Sequence, residues 1–218
     1  MTNDALAKSP EDRLAALKAK SQSRVKELEE KLGHRLTSPR SAPTVFLLID
    51  CSHSMDMNGP AKFEAAKRGA IRFCQEARDK NYLIGLISFA ERGVCLREPS
   101  PYGDDIQSRV TSLTSGPYTN MADAISLATQ KLESRKGQRA MCLVTDGQPF
   151  TKTGEDCDAT LRTAVSAKGV GIEILAIGTD DADKSFLDKI VTSKELAIHV
   201  DREHLEAGIS SMARLLPG

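Results

Sequence analysis

The sequence predicts an α/β fold: a doubly wound, mostly parallel sheet of six strands with helices on both faces, preceded by a helical extension. Three observations lead there. The segment "TVFLLID" (44–50) is a continuous apolar run, the mark of a strand buried on both faces of a parallel sheet. From it onward, strand-like and helix-like patterns alternate, as repeated β-α-β units do. The predicted strands then run into polar residues, and in open α/β sheets ligands bind beyond those carboxyl ends, where strand order reverses.

Taken in order, Ser9 suits an N-cap, Pro10 a first helical position, and Glu11 and Asp12 a first turn. Leu14, Leu17, Val25, Leu28 and Leu32 then share one helical stripe up to Gly33, which can end the helix. A helix over 9–33 would be about 36 Å long at ~1.5 Å per residue. It either packs back on the domain or joins a second chain. "GHRLTSPRSAPT", with its prolines, reads as a linker, so residues 1–42 form an extension and 43–218 the α/β domain.

Within that domain, 62–78 places Phe63, Ala66, Ala70, Phe73, Cys74 and Ala77 on one helical stripe. "YLIGLISFA" (82–90) is the next strand, and "GVCLREP" a short antiparallel edge. "DDIQSRVTSL" predicts a short helix and 119–134 a longer one. Strand 139–146, a helix over 156–168, strand 171–178, a helix over 183–191, the short strand "LAIHV" and a last helix over 202–216 complete the series.

Composition narrows the function. The 218 residues carry 30 Lys and Arg against 30 Asp and Glu, for zero formal net charge. That balance argues against nucleic acid as main partner, since such binding runs on phosphate neutralisation. At 28% charged and 40% hydrophobic residues the chain reads as soluble and globular. No run approaches the ~18 apolar residues of a membrane span, and "MTNDALAKSPEDR" has neither the apolar core nor the cleavage site of a secretion signal. The five scattered cysteines, without a C-x-x-C pair, read as reduced thiols of a cytoplasmic protein.

Three loops carry the chemistry. Asp50, Ser52 and Ser54 follow the first strand, Asp146 and Gly147 follow the strand at 139–146, and Thr119 stands at a helix start between them. Alone, the first set could bind a hard cation, cap a helix or make a turn. A spacing of two would put its three oxygens on one side of an extended turn, and a hard divalent ion accepts such donors while keeping several waters. Thr119 could also cap the helix that follows it.

At these residues the chain resembles the von Willebrand factor type A domain with its metal-ion-dependent adhesion site, in its intracellular, prokaryotic-type form. The likeness spans 43–218. It rests on Asp-x-Ser-x-Ser at Asp50, Ser52 and Ser54, on Thr119, on Asp146 with Gly147, and on Met55, "KFEAAK" and "YLIGLISFA". The resemblance implies a Rossmann-like fold and a metal site. In it Ser52, Ser54 and Thr119 contact the ion directly or through water, Asp50 and Asp146 act largely through water, and a partner's acidic side chain completes the shell. Magnesium is the expected ion, with manganese or calcium as alternatives. His53, where many members have glycine, and Tyr118, where a small residue is common, depart from the pattern without removing a ligand.

The expected function is therefore a metal-dependent protein-protein interaction module and not an enzyme, within an intracellular multiprotein assembly or beside an AAA+ ATPase. Two alternatives stand: a metal-dependent phosphatase, and an assembly protein that self-associates through the N-terminal helix. A phosphate-binding G-x-x-x-x-G-K-[ST] loop is absent, and "DCSHS" lacks the Asp-x-Asp of aspartyl phosphotransferases. Cys51 with His53 invites a zinc or nucleophile reading, and "TDDADKSF" (179–186) a calcium one. A packing cysteine, a surface histidine and a helix start are the plainer readings.

Overall fold

The computed structural model describes residues 41–57, 61–103 and 105–217, with 19–21, 23, 24 and 27 before them. The chain divides into two units, Met1–Pro39 and Arg40–Gly218. In the first, the described residues are helical and exposed; the rest of the expected 9–33 helix, and most of its linker, lie outside the described residues.

The second unit is built on a six-stranded sheet. Strand β1 (Thr44–Asp50) is buried along its whole length, as its uninterrupted apolar sequence requires. It pairs in parallel with β2 (Leu83–Phe89) on one side and β4 (Arg139–Thr145) on the other. Beyond β2 lies the antiparallel edge strand β3 (Gly93–Ser100), and beyond β4 the parallel β7 (Glu173–Gly178) and β8 (Ala197–His199). The order β3-β2-β1-β4-β7-β8 reverses direction between β1 and β4. That switch point is where such sheets open a crevice, and Asp50 and Asp146 stand at its two sides. A two-stranded hairpin, β5 (Phe150–Thr151) with β6 (Gly154–Glu155), rises directly after it.

Helices fall into two packed sets, one for each face of the sheet. One set is α2 (Ala61–Asp79), α3 (Asp105–Thr111) and α7 (Leu205–Met212); the other is α4 (Met121–Glu133), α5 (Cys157–Gly169) and α6 (Lys184–Ile190). The stripe expected on α2 is wholly buried, from Phe63 to Ala77. Its Gly69 lets α7 come close: a Cβ there would stand 2.9 Å from both the Glu206 carbonyl oxygen and Ile209 Cβ. The last helix is broken where one continuous helix over 202–216 was expected. Short 3-10 turns at Arg202–His204 and Ala213–Leu215 flank α7, tightening the helix ends. Among the described residues no helix is long and apolar enough to cross a membrane.

All five cysteines are unpaired, with Cys51, Cys74 and Cys142 buried and Cys95 and Cys157 partly so. Burial pushes the thiols of Cys51 and Cys74 up to about 12, and raises Cys142 as well. Since the thiolate is the reactive form, brief iodoacetamide treatment of the native protein at pH 8 should modify Cys95 and Cys157 alone. Mass spectrometry reads the result, and early labelling of Cys74 or Cys142 would contradict this packing.

Candidate metal site

Asp50, at the last position of β1, has no exposed surface. Its Oδ1 accepts the Ser52 backbone N–H at 2.8 Å and its Oδ2 accepts the Thr145 hydroxyl at 2.7 Å. The carboxylate therefore ties the first loop to the end of β4. Ser52 is extended, and a four-residue helix, α1 (His53–Asp56), follows at once. Ser54 sits in that helix, not in the extended turn that the spacing of two predicts. The serines still converge: their hydroxyls lie 2.9 Å apart, and Ser54 Oγ donates to Asp146 Oδ1 at 2.7 Å. A short helix turns Ser54 back toward Ser52, which an extended chain would carry onward.

The second loop is stitched to both others through its backbone. Gly116 N–H donates to the Cys51 carbonyl at 2.7 Å, and Gly116 bridges to Ser52. Thr119 and Phe150 exchange two backbone hydrogen bonds, at 2.7 and 3.1 Å. Phe150 stands four residues beyond Asp146, so the pairing brings the buried Thr119 to the same sheet edge. Helix α4 starts at Met121 and is capped by Asn120, whose side chain accepts the Asp123 N–H at 3.1 Å. Thr119 is therefore not the cap. Asp50, Ser52, Ser54 and Asp146 thus form one hydrogen-bonded run, and Thr119 joins them through the backbone.

The charges are unequal. Burial and the neighbouring Asp146 push the Asp50 carboxyl up to about 7, against the hydrogen bonds from Thr145 and Ser52. Asp146 itself is 2% exposed, too enclosed for a simple turn residue. Its Oδ2 pairs with the ammonium of Lys62, which is 3% exposed and reaches Asp180 Oδ2 at 2.8 Å on its other side. Asp180 is in turn bound by Arg202 at 2.7 Å. Burial pulls the Asp180 carboxyl upward, but the bonds from Arg202 and Lys62 prevail and hold it below its ordinary value. The sequence motif does not include Thr145, Lys62, Asp180 or Arg202. The local hints are the place of Thr145 and Asp180 at or just after a strand end, and the acidic run 179–186 that holds Asp180.

The donors suit a hard divalent cation: two carboxylates and three hydroxyls, all oxygen. The run from Ser52 Oγ through Ser54 Oγ to Asp146 Oδ1 already clusters them, and Asp50 is a buried carboxyl with no cationic partner among the described residues. Soft ligands do not join in. Cys51 Sγ points to the Ile49 carbonyl at 3.6 Å, and His53 is exposed. Among the described residues no group of three or more His, Cys, Asp or Glu is placed to hold a metal. "TDDADKSF" is a helix start: Asp183 caps α6, accepting the Ser185 N–H at 2.8 Å. Beside the site, Tyr118 adopts a left-handed backbone (φ 68°) and its ring stacks on Phe150 at 6.4 Å between centroids. Phe150 is half exposed, and Met57 is 60% exposed.

Comparison with known proteins gives one answer for the fold. The family model for the von Willebrand factor type A domain matches residues 45–148. Protein NorD of Stutzerimonas stutzeri is 39% identical over 72 residues, and the match covers 12% of NorD's length. The chain thus spans only a small part of that relative. The vWF domain of the type V pili tip protein Mfa5 from Porphyromonas gingivalis superposes with a TM-score of 0.70 at 14% identity, covering 80% of this chain and 95% of that one. Proximal thread matrix protein 1 from the mussel byssus, solved with a zinc-occupied MIDAS motif, gives 0.66 at 20% identity, covering 80% of this chain and 46% of that one.

Proposed function

We propose that this chain, whose residues 45–148 match the von Willebrand factor type A domain model, works as a domain of that family and binds a partner protein through a divalent cation held at the β1–β4 switch point. Ser52, Ser54 and Thr119 would hold the ion, with Asp50 and Asp146 around it. Magnesium is the expected occupant, with manganese or calcium as alternatives. The observation that carries this reading is the Ser52–Ser54–Asp146 run, which joins two loops of the motif at hydrogen-bond distance. The zinc reported in the MIDAS motif of the mussel protein supports a divalent ion in a site of this fold.

When bound, the ion supplies a Lewis-acidic position for an anionic oxygen. The chain's own groups prepare that position. Thr145 and the Ser52 N–H fix Asp50, Lys62 fixes Asp146, and the Thr119–Phe150 pairing fixes the second loop against the third. The occupant from the partner is an Asp or Glu side chain, and Tyr118, Phe150 and Met57 offer it an apolar rim. Both oxygens of Asp50 are engaged within the protein, which supports binding over nucleophilic hydrolysis. We place the partner in a cytoplasmic multiprotein assembly, as an AAA+ ATPase or another subunit of such a complex; the unpaired cysteines support a reducing compartment.

Calorimetric titration with manganese tests the site. The wild type should bind one ion saturably, and Ser54→Ala and Thr119→Ala should each weaken it by about tenfold or more. Undiminished binding in both variants would overturn the ligand set. Chelator-sensitive capture of a partner, lost on mutating one acidic residue of that partner, would complete the case.

A further inference from the structure

Lys62 lies in the first turn of α2, among side chains that face the core, and its charge is withdrawn from water. A buried ammonium is costly unless paired, and here it is paired twice, with Asp146 and Asp180. Asp180 adopts a left-handed backbone (φ 52°) and is held from outside by Arg202. The result is a ladder, Asp146–Lys62–Asp180–Arg202, across four segments of the chain. It divides the labour of Asp146: Oδ2 belongs to Lys62, and Oδ1 is left facing Ser54.

Resting on the reading just given, we infer that Lys62 is a positioning residue that sets the charge of the cation site, weakening the hold on the ion so that the loaded site keeps a net positive charge for an acidic ligand. Asp50, Asp146, Asp180, Lys62 and Arg202 together carry one net negative charge when all are ionised. A dication turns this into one net positive charge. Were Lys62 neutral, the loaded site would sum to zero and would attract a partner's carboxylate far less. Proximity strengthens the effect, because Lys62 touches the same carboxylate that faces the ion.

The two inner members of the ladder should act in opposite directions. Lys62→Met removes the competing cation and should tighten manganese binding by about tenfold or more. Asp180→Asn gives Lys62 wholly to Asp146 and should weaken manganese severalfold. In manganese-loaded protein, acetate binding followed by water-proton relaxation should be weaker in Lys62→Met than in the wild type. A merely structural Lys62 would lower manganese affinity in both variants, and that result overturns the inference. If Lys62→Met fails to fold, as judged by circular dichroism, Lys62→Gln takes its place: manganese binding no tighter than in the wild type overturns the inference, and so does unchanged or tighter binding in Asp180→Asn. Failure here is distinct from failure of the site itself. If the wild type binds and Ser54→Ala does not, the site stands whatever Lys62 does; if the wild type binds no manganese, both fall.

Discussion

Asp50→Asn is expected to strip the site of its cation while making the metal-free protein more stable, not less. In the metal-free protein the Asp50 carboxyl is fully buried, faces the charge of Asp146 and is pushed up to about 7. Ionisation therefore costs the folded state more than the unfolded one. The sign follows from linkage: a carboxyl whose folded value lies above its unfolded one binds a proton more tightly when folded. Metal-free wild type should thus lose stability as pH rises from about 4 to about 7, and level off above. Asparagine removes the charge and keeps the contacts. Its carbonyl can accept the Ser52 N–H, and its amide can donate to Thr145 Oγ1, whose own proton can turn to the Gly147 carbonyl at 3.3 Å. The gain at pH 8 should be about 2 kcal/mol, vanishing near pH 4, where both side chains are neutral. Manganese affinity should fall by about 100-fold. Denaturation at pH 5 and pH 8, in chelator and in manganese, reads both effects. With manganese the order of stabilities should invert, since only the wild type gains from the ion. A variant less stable than wild type in chelator at pH 8 would mean that the carboxylate charge is structural, and would count against a site strained for binding.

How much of this was readable in sequence depends on how local the signal is. β1 is legible because a strand buried on both faces has no polar alternation to confuse it, and the α2 stripe because its six core positions repeat at helical spacing. The site's first loop and Asp146 are legible for a related reason: polar residues that directly follow a buried strand must sit at the sheet's edge. What failed was short or nonlocal. A four-residue helix such as α1 has too few residues for periodicity, so the spacing alone predicts an extended Ser54. The strands of the β5–β6 hairpin have two residues each and leave no pattern at all. Asn120 and Thr119 are both good caps by composition, and only the Asn120–Asp123 contact decides between them. Lys62 is the sharpest case. In sequence it is an ordinary charged residue near a helix start, yet its partners lie 84 and 118 positions away. Nothing near it in the chain announces a buried ammonium.

The other large effect should come from Gly85, in the middle of β2, where no ligand or turn is involved. In the parallel register Gly85 stands opposite Phe46 of β1, and the Phe46 ring lies over the space a side chain would fill. A Cβ on residue 85 would meet Phe46 Cε1 at 2.3 Å, Cδ1 at 2.5 Å and Cζ at 2.7 Å. Glycine in a strand interior is otherwise unfavourable, so the close approach of the ring is its physical reason. Phe46 is wholly buried and cannot swing aside without displacing its neighbours. Gly85→Ala should therefore destabilise by about 3 kcal/mol, the upper end for overpacking. In a domain of this size that lowers the melting temperature by roughly 6–12 °C. The mechanism makes a second demand. Phe46→Leu removes the ring and should itself be destabilising, but in its presence Gly85→Ala should cost at least about 1 kcal/mol less than in the wild type. A double-mutant cycle measures that coupling directly. If the two losses simply add, alanine is harming β2 through something other than the ring, and the account of Gly85 as the seat of Phe46 is wrong.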